Sequence, residues 1–342
     1  MRSGAKGLES KLLASDLAAT LPNLPCRLNC ITLANMASGS ITFRLLDSFL
    51  EQAKMEISQG ARGIVLLQGT DTLEESAFYL ALRWKYDIPL LLTGAMKGAD
   101  SLGADGSANL YAAILCALSK DASGVMIAMN GEIHSAIDAS KTHSSALQSF
   151  VSPHLGPLAR LEENEIRFLR QNPKTPVLWG LGEKGQSGQG QSPNSQSQSP
   201  NSQSQAQSQD QARAKVFLHT CSLDEELDFL DFAYENYDAL VLQAFGSGHV
   251  SEKLFKRLEL AVFKPTVICA GVPFGGSTSK TYAYKGSEIS LQELGCLMSG
   301  KLSAKKTRLL IEAAFFYGHL QNEDKTESLK ALLMRFDRAF YL

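Results

Sequence analysis

The chain has 342 residues with 33 basic and 35 acidic side chains, a formal charge of −2, which gives no electrostatic reason to expect nucleic acid or an anionic membrane as a partner. Its 44% hydrophobic content suits a globular protein with room for two cores, and no apolar run approaches the roughly 20 residues that span a bilayer. Six cysteines, at positions 26, 30, 116, 221, 269 and 296, lie mostly in apolar segments and read as reduced core thiols, which points to a cytoplasmic protein. Cys26 and Cys30 are four apart, but no second cysteine or histidine pair completes a zinc site, so no metal and no cofactor is expected.

Residues 41–59 place Leu45, Leu46, Phe49, Leu50, Ala53 and Ile57 on one helical face, with Gly60 to stop the helix. Ile64 to Leu67 are apolar without alternation, as in a strand covered on both faces, and Gly69 allows a sharp turn at its carboxyl end. Thr70, Asp71 and Thr72 follow, and Thr72 with Glu75 fits a capping box that opens a helix over 73–85. A strand over 88–93, a helix near 107–119 and a strand over 124–129 repeat the pattern and predict a parallel sheet with helices on its faces.

Residues 183–212 lose nearly all apolar character, and Ser192-Pro-Asn-Ser-Gln-Ser-Gln198 repeats at once as Ser199-Pro-Asn-Ser-Gln-Ser-Gln205, so this stretch reads as a disordered linker. Gly180-Leu-Gly-Glu-Lys-Gly185 matches a dinucleotide-binding pattern, yet no helix-forming sequence follows it, and it reads as a chance match. Beyond the linker, strands at 216–219, 239–243 and 266–269 alternate with helices near 223–236, 251–261 and 303–317. The fold class is α/β with two domains: a larger N-terminal parallel-sheet, doubly wound domain over 1–172, a linker over 173–214, and a smaller C-terminal α/β domain over 215–342.

The words Gln68-Gly-Thr-Asp-Thr-Leu-Glu-Glu75, Gly94-Ala-Met-Lys97, Ala104-Asp-Gly106 with Asn109-Leu110, Met129-Asn130 and Lys141-Thr142 occur in this order. With Gly246-Ser-Gly-His-Val250, Tyr282 with Gly286, Gly300-Lys-Leu302, Lys306 and Arg308, they make a chain that closely resembles the bacterial-type asparaginase/glutaminase family. The resemblance implies hydrolysis of L-asparagine, with L-glutamine as a possible second substrate, in a homotetramer or homodimer. Hydrolysing a side-chain amide needs a nucleophile, a route for its proton, donors for the oxyanion and a clamp for the amino acid's charged ends.

Thr70 supplies a hydroxyl at a strand end, and Lys141 an amine that burial beside other cations would make a base. The resemblance joins Thr70, Lys141 and Asp71 in one set and gives Asp71 the substrate's α-ammonium. It gives Ser38 the α-carboxylate, places Gly69 in the substrate turn, and assigns Ala95 a main-chain carbonyl near the amide. His249 and Tyr282 match positions that reach a neighbouring subunit's site, where many relatives have Asn and Glu.

The departures matter too. Family members begin with a strand ending in Thr-Gly-Gly-Thr, whose second Thr is the favoured acyl acceptor, and that word does not occur in residues 1–342. The expectation is that an upstream start supplies it. The alternative is a truncated pseudoenzyme that binds small amino acids without turnover. No counterpart of a flexible-loop Tyr occurs in residues 1–20, and Gly131 stands where Asp is common.

Overall fold

The computed structural model describes residues 2–4, 7–9, 13–178, 213–260, 265–272, 276–320 and 325–341. The Ser/Gln repeat and the Gly180–Gly185 pattern lie outside them. A short hairpin, β1 (Arg2–Gly4) with β2 (Gly7–Glu9), and the short helix α1 (Ala14–Ala18) precede the first sheet.

Helix α2 (Phe43–Ser58) starts where the Thr42 hydroxyl accepts from Leu45 N, and it buries Leu46, Phe49, Leu50 and Ala53 as their spacing predicts. Strand β3 (Ile64–Leu67), helix α3 (Leu73–Ala81), strand β4 (Leu90–Thr93), helix α4 (Gly106–Leu118) and strand β5 (Val125–Met129) then alternate. Strands β3, β4 and β5 pair in parallel, as expected. From β5 outward the sheet turns antiparallel through β6 (Glu132–Ser135), while β7 (Ser140–Lys141) and β8 (Phe150–Val151) form a separate two-stranded ladder. Strands β9 (Ala159–Glu162) and β10 (Glu165–Phe168) complete six strands in the order β10-β9-β6-β5-β4-β3.

Successive residues of β4 face opposite ways, so Leu90 and Leu92 join α2 and α3 in one cluster while Leu91 joins Ala113, Cys116 and Ala117 of α4 in another. Truncating Leu92 to Ala would cost about 2–5 kcal/mol, because the residue is fully enclosed and leaves a cavity. Strand β3 departs from the sequence reading. All four of its residues are only half-buried, because β3 lies at the sheet's edge and no described strand pairs with its outer side.

The second sheet is parallel throughout: β11 (Val216–Thr220), β12 (Ala239–Gln243), β13 (Thr266–Cys269) and β14 (Leu297–Met298), in that order. Helices α5 (Asp228–Asn236), α6 (Glu252–Glu259), α7 (Glu288–Glu293), α8 (Ala304–Phe316) and α9 (Lys325–Ala339) accompany it. One core cluster takes in both halves of the chain. Phe78 and Leu82, from the first, pack with Val241, Val267, Leu310 and Phe336, and the Phe78 and Phe336 rings meet edge to face at 5.8 Å. No helix among the described residues is long and apolar enough to cross a membrane.

Candidate active site

The carboxyl end of β3 runs into a 3₁₀ turn, Thr70–Thr72, that feeds helix α3. Thr72 does not form the expected capping box. Its hydroxyl donates to Ser38 O at 2.9 Å and receives Gln68 Nε2 at 3.4 Å, so it ties the 3₁₀ turn Ser38–Ser40 to α3 in place of capping the helix. Gly69 adopts φ −66°, which any residue can, so conformational freedom is not what the position requires. Space is: a Cβ there would come 2.9 Å from Ser38 Oγ.

Lys141, on β7, brings its amine to this turn. Its Nζ donates to Thr70 Oγ1 at 2.9 Å and to Asp71 Oδ1 at 2.8 Å. Thr70 is buried and Lys141 nearly so, whereas the Asp71 side chain is 75% exposed. The set is therefore anchored from below and open above, and Asp71 keeps lone pairs for a cationic ligand. The Lys141 hydrogen bond and charge hold the Asp71 carboxyl below the usual carboxylate range, against a smaller opposing effect of burial. Ser38 Oγ donates to Asp71 Oδ2 and accepts from Asp71 N, both at 3.3 Å, so it fixes the carboxylate directly.

Four residues without a role in the sequence analysis, Glu74, Lys306, Asp105 and Asn109, hold this set in place. Glu74, buried in the first turn of α3, accepts from Lys141 N at 2.7 Å through Oε2 and pairs with Lys305 at 3.2 Å through Oε1. Lys306, next on α8, donates to Ile137 O at 2.9 Å and Ala139 O at 2.7 Å, just ahead of β7. Burial pushes the Lys306 pKa down to about 8, with Glu74 and Asp138 pulling the other way. Asp105 accepts from Met96 N and Lys97 N, at 2.8 and 2.9 Å, and Asn109 links Gly94 O, at 3.0 Å, to Asn130 N, at 2.8 Å. These bonds shape the loop holding Ala95, whose neighbour Gly94 lies against Thr70: a Cβ on Gly94 would meet Thr70 Cγ2 at 3.2 Å. Buried charges and amides of this kind find partners far along the chain, and no local pattern announces them.

His249 and Tyr282 belong to a cluster of their own with Glu288. Their rings meet edge to face at 5.0 Å, and His249 Nε2 lies 2.8 Å from Oε2 of the fully buried Glu288. Burial pushes the Glu288 carboxyl up, but backbone N–H groups of Thr281 and Tyr282 and the His249 charge outweigh it and hold the pKa down at about 2. No described hydrogen bond or ion pair joins this cluster to Thr70, Asp71 or Lys141.

Comparison with known proteins bears on the family of the chain. The family described as Asparaginase, N-terminal, matches residues 1–174. A protein of Haemophilus influenzae named probable periplasmic L-asparaginase is 30% identical over 257 residues, covering 74% of this chain and 65% of that protein. L-asparaginase 2 of Escherichia coli K12 is 27% identical, covering 74% of this chain and 66% of its own. Glutaminase-asparaginase of Pseudomonas fluorescens is 42% identical over 138 residues, 40% of this chain and 38% of that one. The chain thus spans just under two thirds of the length of the first two relatives. With half its length matched by one family pattern, the chain belongs to the asparaginase family.

Proposed function

We propose that this site belongs to an L-asparagine amidohydrolase, which releases L-aspartate and ammonia. The observation that carries the reading is the Lys141 amine lying within hydrogen-bond distance of both Thr70 Oγ1 and Asp71 Oδ1 at the carboxyl end of β3, in the parallel part of the first sheet, where open α/β folds hold their ligands. In this reading Asp71 receives the substrate's α-ammonium, and Ser38 with the backbone of its turn and Gly69 the α-carboxylate. The side-chain amide then lies over Thr70 and Ala95. Lys141 and Thr70 form the route by which a threonine hydroxyl loses its proton as it attacks the amide carbon. The acyl-enzyme then yields to water.

The attacking hydroxyl is either Thr70 itself or a threonine of the Thr-Gly-Gly-Thr word that relatives carry. The half-buried apolar edge of β3 supports the second choice, since a strand bearing that word would cover it. His249 and Tyr282 complete the site of another subunit in a closed homo-oligomer, a tetramer or dimer, and their identities bear on the choice of L-asparagine over L-glutamine. The test is ammonia release from each amide together with calorimetric binding of L-asparagine. Binding that is lost in Asp71→Ala, with release that depends on Lys141, supports the reading. Binding without release on residues 1–342 and on a chain extended by a strand ending in Thr-Gly-Gly-Thr favours the non-catalytic alternative, and no binding to either rejects both.

A further inference from the structure

At the carboxyl end of β11, on the edge of the second sheet, His219, Cys221 and Glu225 bring one ligand atom each to within 4.8 Å of one another. Cys221 is buried and continues the strand, its N donating to Gln243 O at 2.9 Å. The chain turns at Asp224, in the left-handed region at φ 51°, and brings Glu225 back so that its Oε2 lies 2.5 Å from His219 Nε2. The His219 ring is held flat on Phe229, centroids 3.8 Å apart and planes 19° from parallel. The Glu225 side chain is only 9% exposed, and its second oxygen, Oε1, is buried without a hydrogen-bond partner. The Cys221 thiol is the donor within reach of this carboxylate, and a cation held by both groups would satisfy the orphan oxygen in the proton's place.

We propose that His219, Cys221 and Glu225 form a binding site for a zinc-class divalent cation, with a fourth position left to water. Imidazole, thiolate and carboxylate together suit a borderline-soft ion, whereas calcium and magnesium would want oxygen alone. A tetrahedral ion with bonds of about 2.0–2.3 Å places its ligand atoms roughly 3.3–3.8 Å apart, so the three groups need close or open by only about 1 Å. On binding, the Cys221 S–H bond breaks and a sulfur–metal bond forms. The proton leaves to solvent, and no electron is transferred. This mixed ligand set explains why counting cysteine pairs in the sequence passes it by.

The test is titration of the full chain with Co²⁺ and then Zn²⁺, in a C26S/C30S background so that the two cysteines outside the core take no part. The expected result is one equivalent of cobalt with tetrahedral visible bands and a sulfur-to-cobalt charge-transfer band, displaced by zinc. Cys221→Ser should abolish the charge-transfer band. His219→Gln and Glu225→Gln should each weaken zinc binding by at least about tenfold, since even outer-shell losses cost that much. A chain that gives no such spectrum, or one whose band survives Cys221→Ser, overturns the proposal and leaves a hydrogen-bonded His219–Glu225 pair in its place. If the serine variant fails to fold, the isosteric Glu225→Gln carries the test: unchanged zinc affinity there is equally contradictory.

Discussion

Lys141 Nζ lies 2.9 Å from Thr70 Oγ1, a contact between residues 71 positions apart that joins the carboxyl end of β3 to the two-residue strand β7. Nothing local to either residue makes that meeting. It depends on Glu74 receiving the Lys141 backbone N–H and on Lys306 holding the two carbonyls just ahead of β7.

Glu74→Ala removes the acceptor from Lys141 N and leaves Lys305 without one of its two carboxylate partners. An unpaired buried backbone N–H costs about 1–3 kcal/mol, so the urea midpoint should fall accordingly. Glu74→Gln keeps an oxygen for that N–H and should lose distinctly less. Equal losses in the two variants would show that the charge on Glu74, and not its bond to Lys141 N, is what matters.

Gly94 follows β4 at a point where an added Cβ would collide with the Gln68 carbonyl of the neighbouring strand end. Backbone cannot give way as a side chain can, so Gly94→Ala should destabilise by about 1–3 kcal/mol, read from chemical denaturation. An alanine variant as stable as the wild type would mean that the loop holding Ala95 is not fixed against β3.

His134 is buried on β6, its Nδ1 3.0 Å from Ser152 Oγ, and burial pushes its pKa down to about 4 against the opposing charges of Glu132 and Asp138. An unfolded histidine titrates near pH 6.5. Between those values the unfolded chain binds more protons than the folded one, so this group's contribution is complete above about pH 6.5 and is lost as pH falls to about 4. Stability measured across that window should decline less in His134→Gln than in the wild type. Identical slopes would show that His134 titrates in the fold as it does in water.

The sequence made much of the scaffold legible. Leu90–Leu92, Val125–Met129 and Ala239–Leu242 are uninterrupted apolar runs because helices or the other half of the chain cover both their faces. Ile64–Leu67 has the same composition and lies at an edge, since composition reports the company a strand is suited to and not what it has. Strands β9 and β10 alternate polar with apolar residues over only four positions, too short a run to stand out. Helix α9 carries a readable stripe in Leu329, Leu332, Leu333 and Phe336. At the site, Thr70, Asp71 and Lys141 were legible through motif order. Of the supports, Glu74 and Lys306 stand among the quoted motifs without a role and Glu288 lies outside them; their roles come from tertiary partners, which single positions in a sequence do not reveal.

The most direct measurement of the central claim is ammonia release from L-asparagine, made on the chain preceded by a strand ending in Thr-Gly-Gly-Thr, with residues 1–342 alone beside it. The extended protein should hydrolyse asparagine, and residues 1–342 should do so weakly or not at all. Thr70→Ala and Lys141→Met should each lower turnover of the extended protein by at least about two orders of magnitude, the usual worth of positioned proton transfer. Robust release from residues 1–342 would make Thr70 itself the nucleophile. Undiminished turnover in both variants would contradict the account, because the contact between Lys141 and Thr70 would then take no part in the reaction.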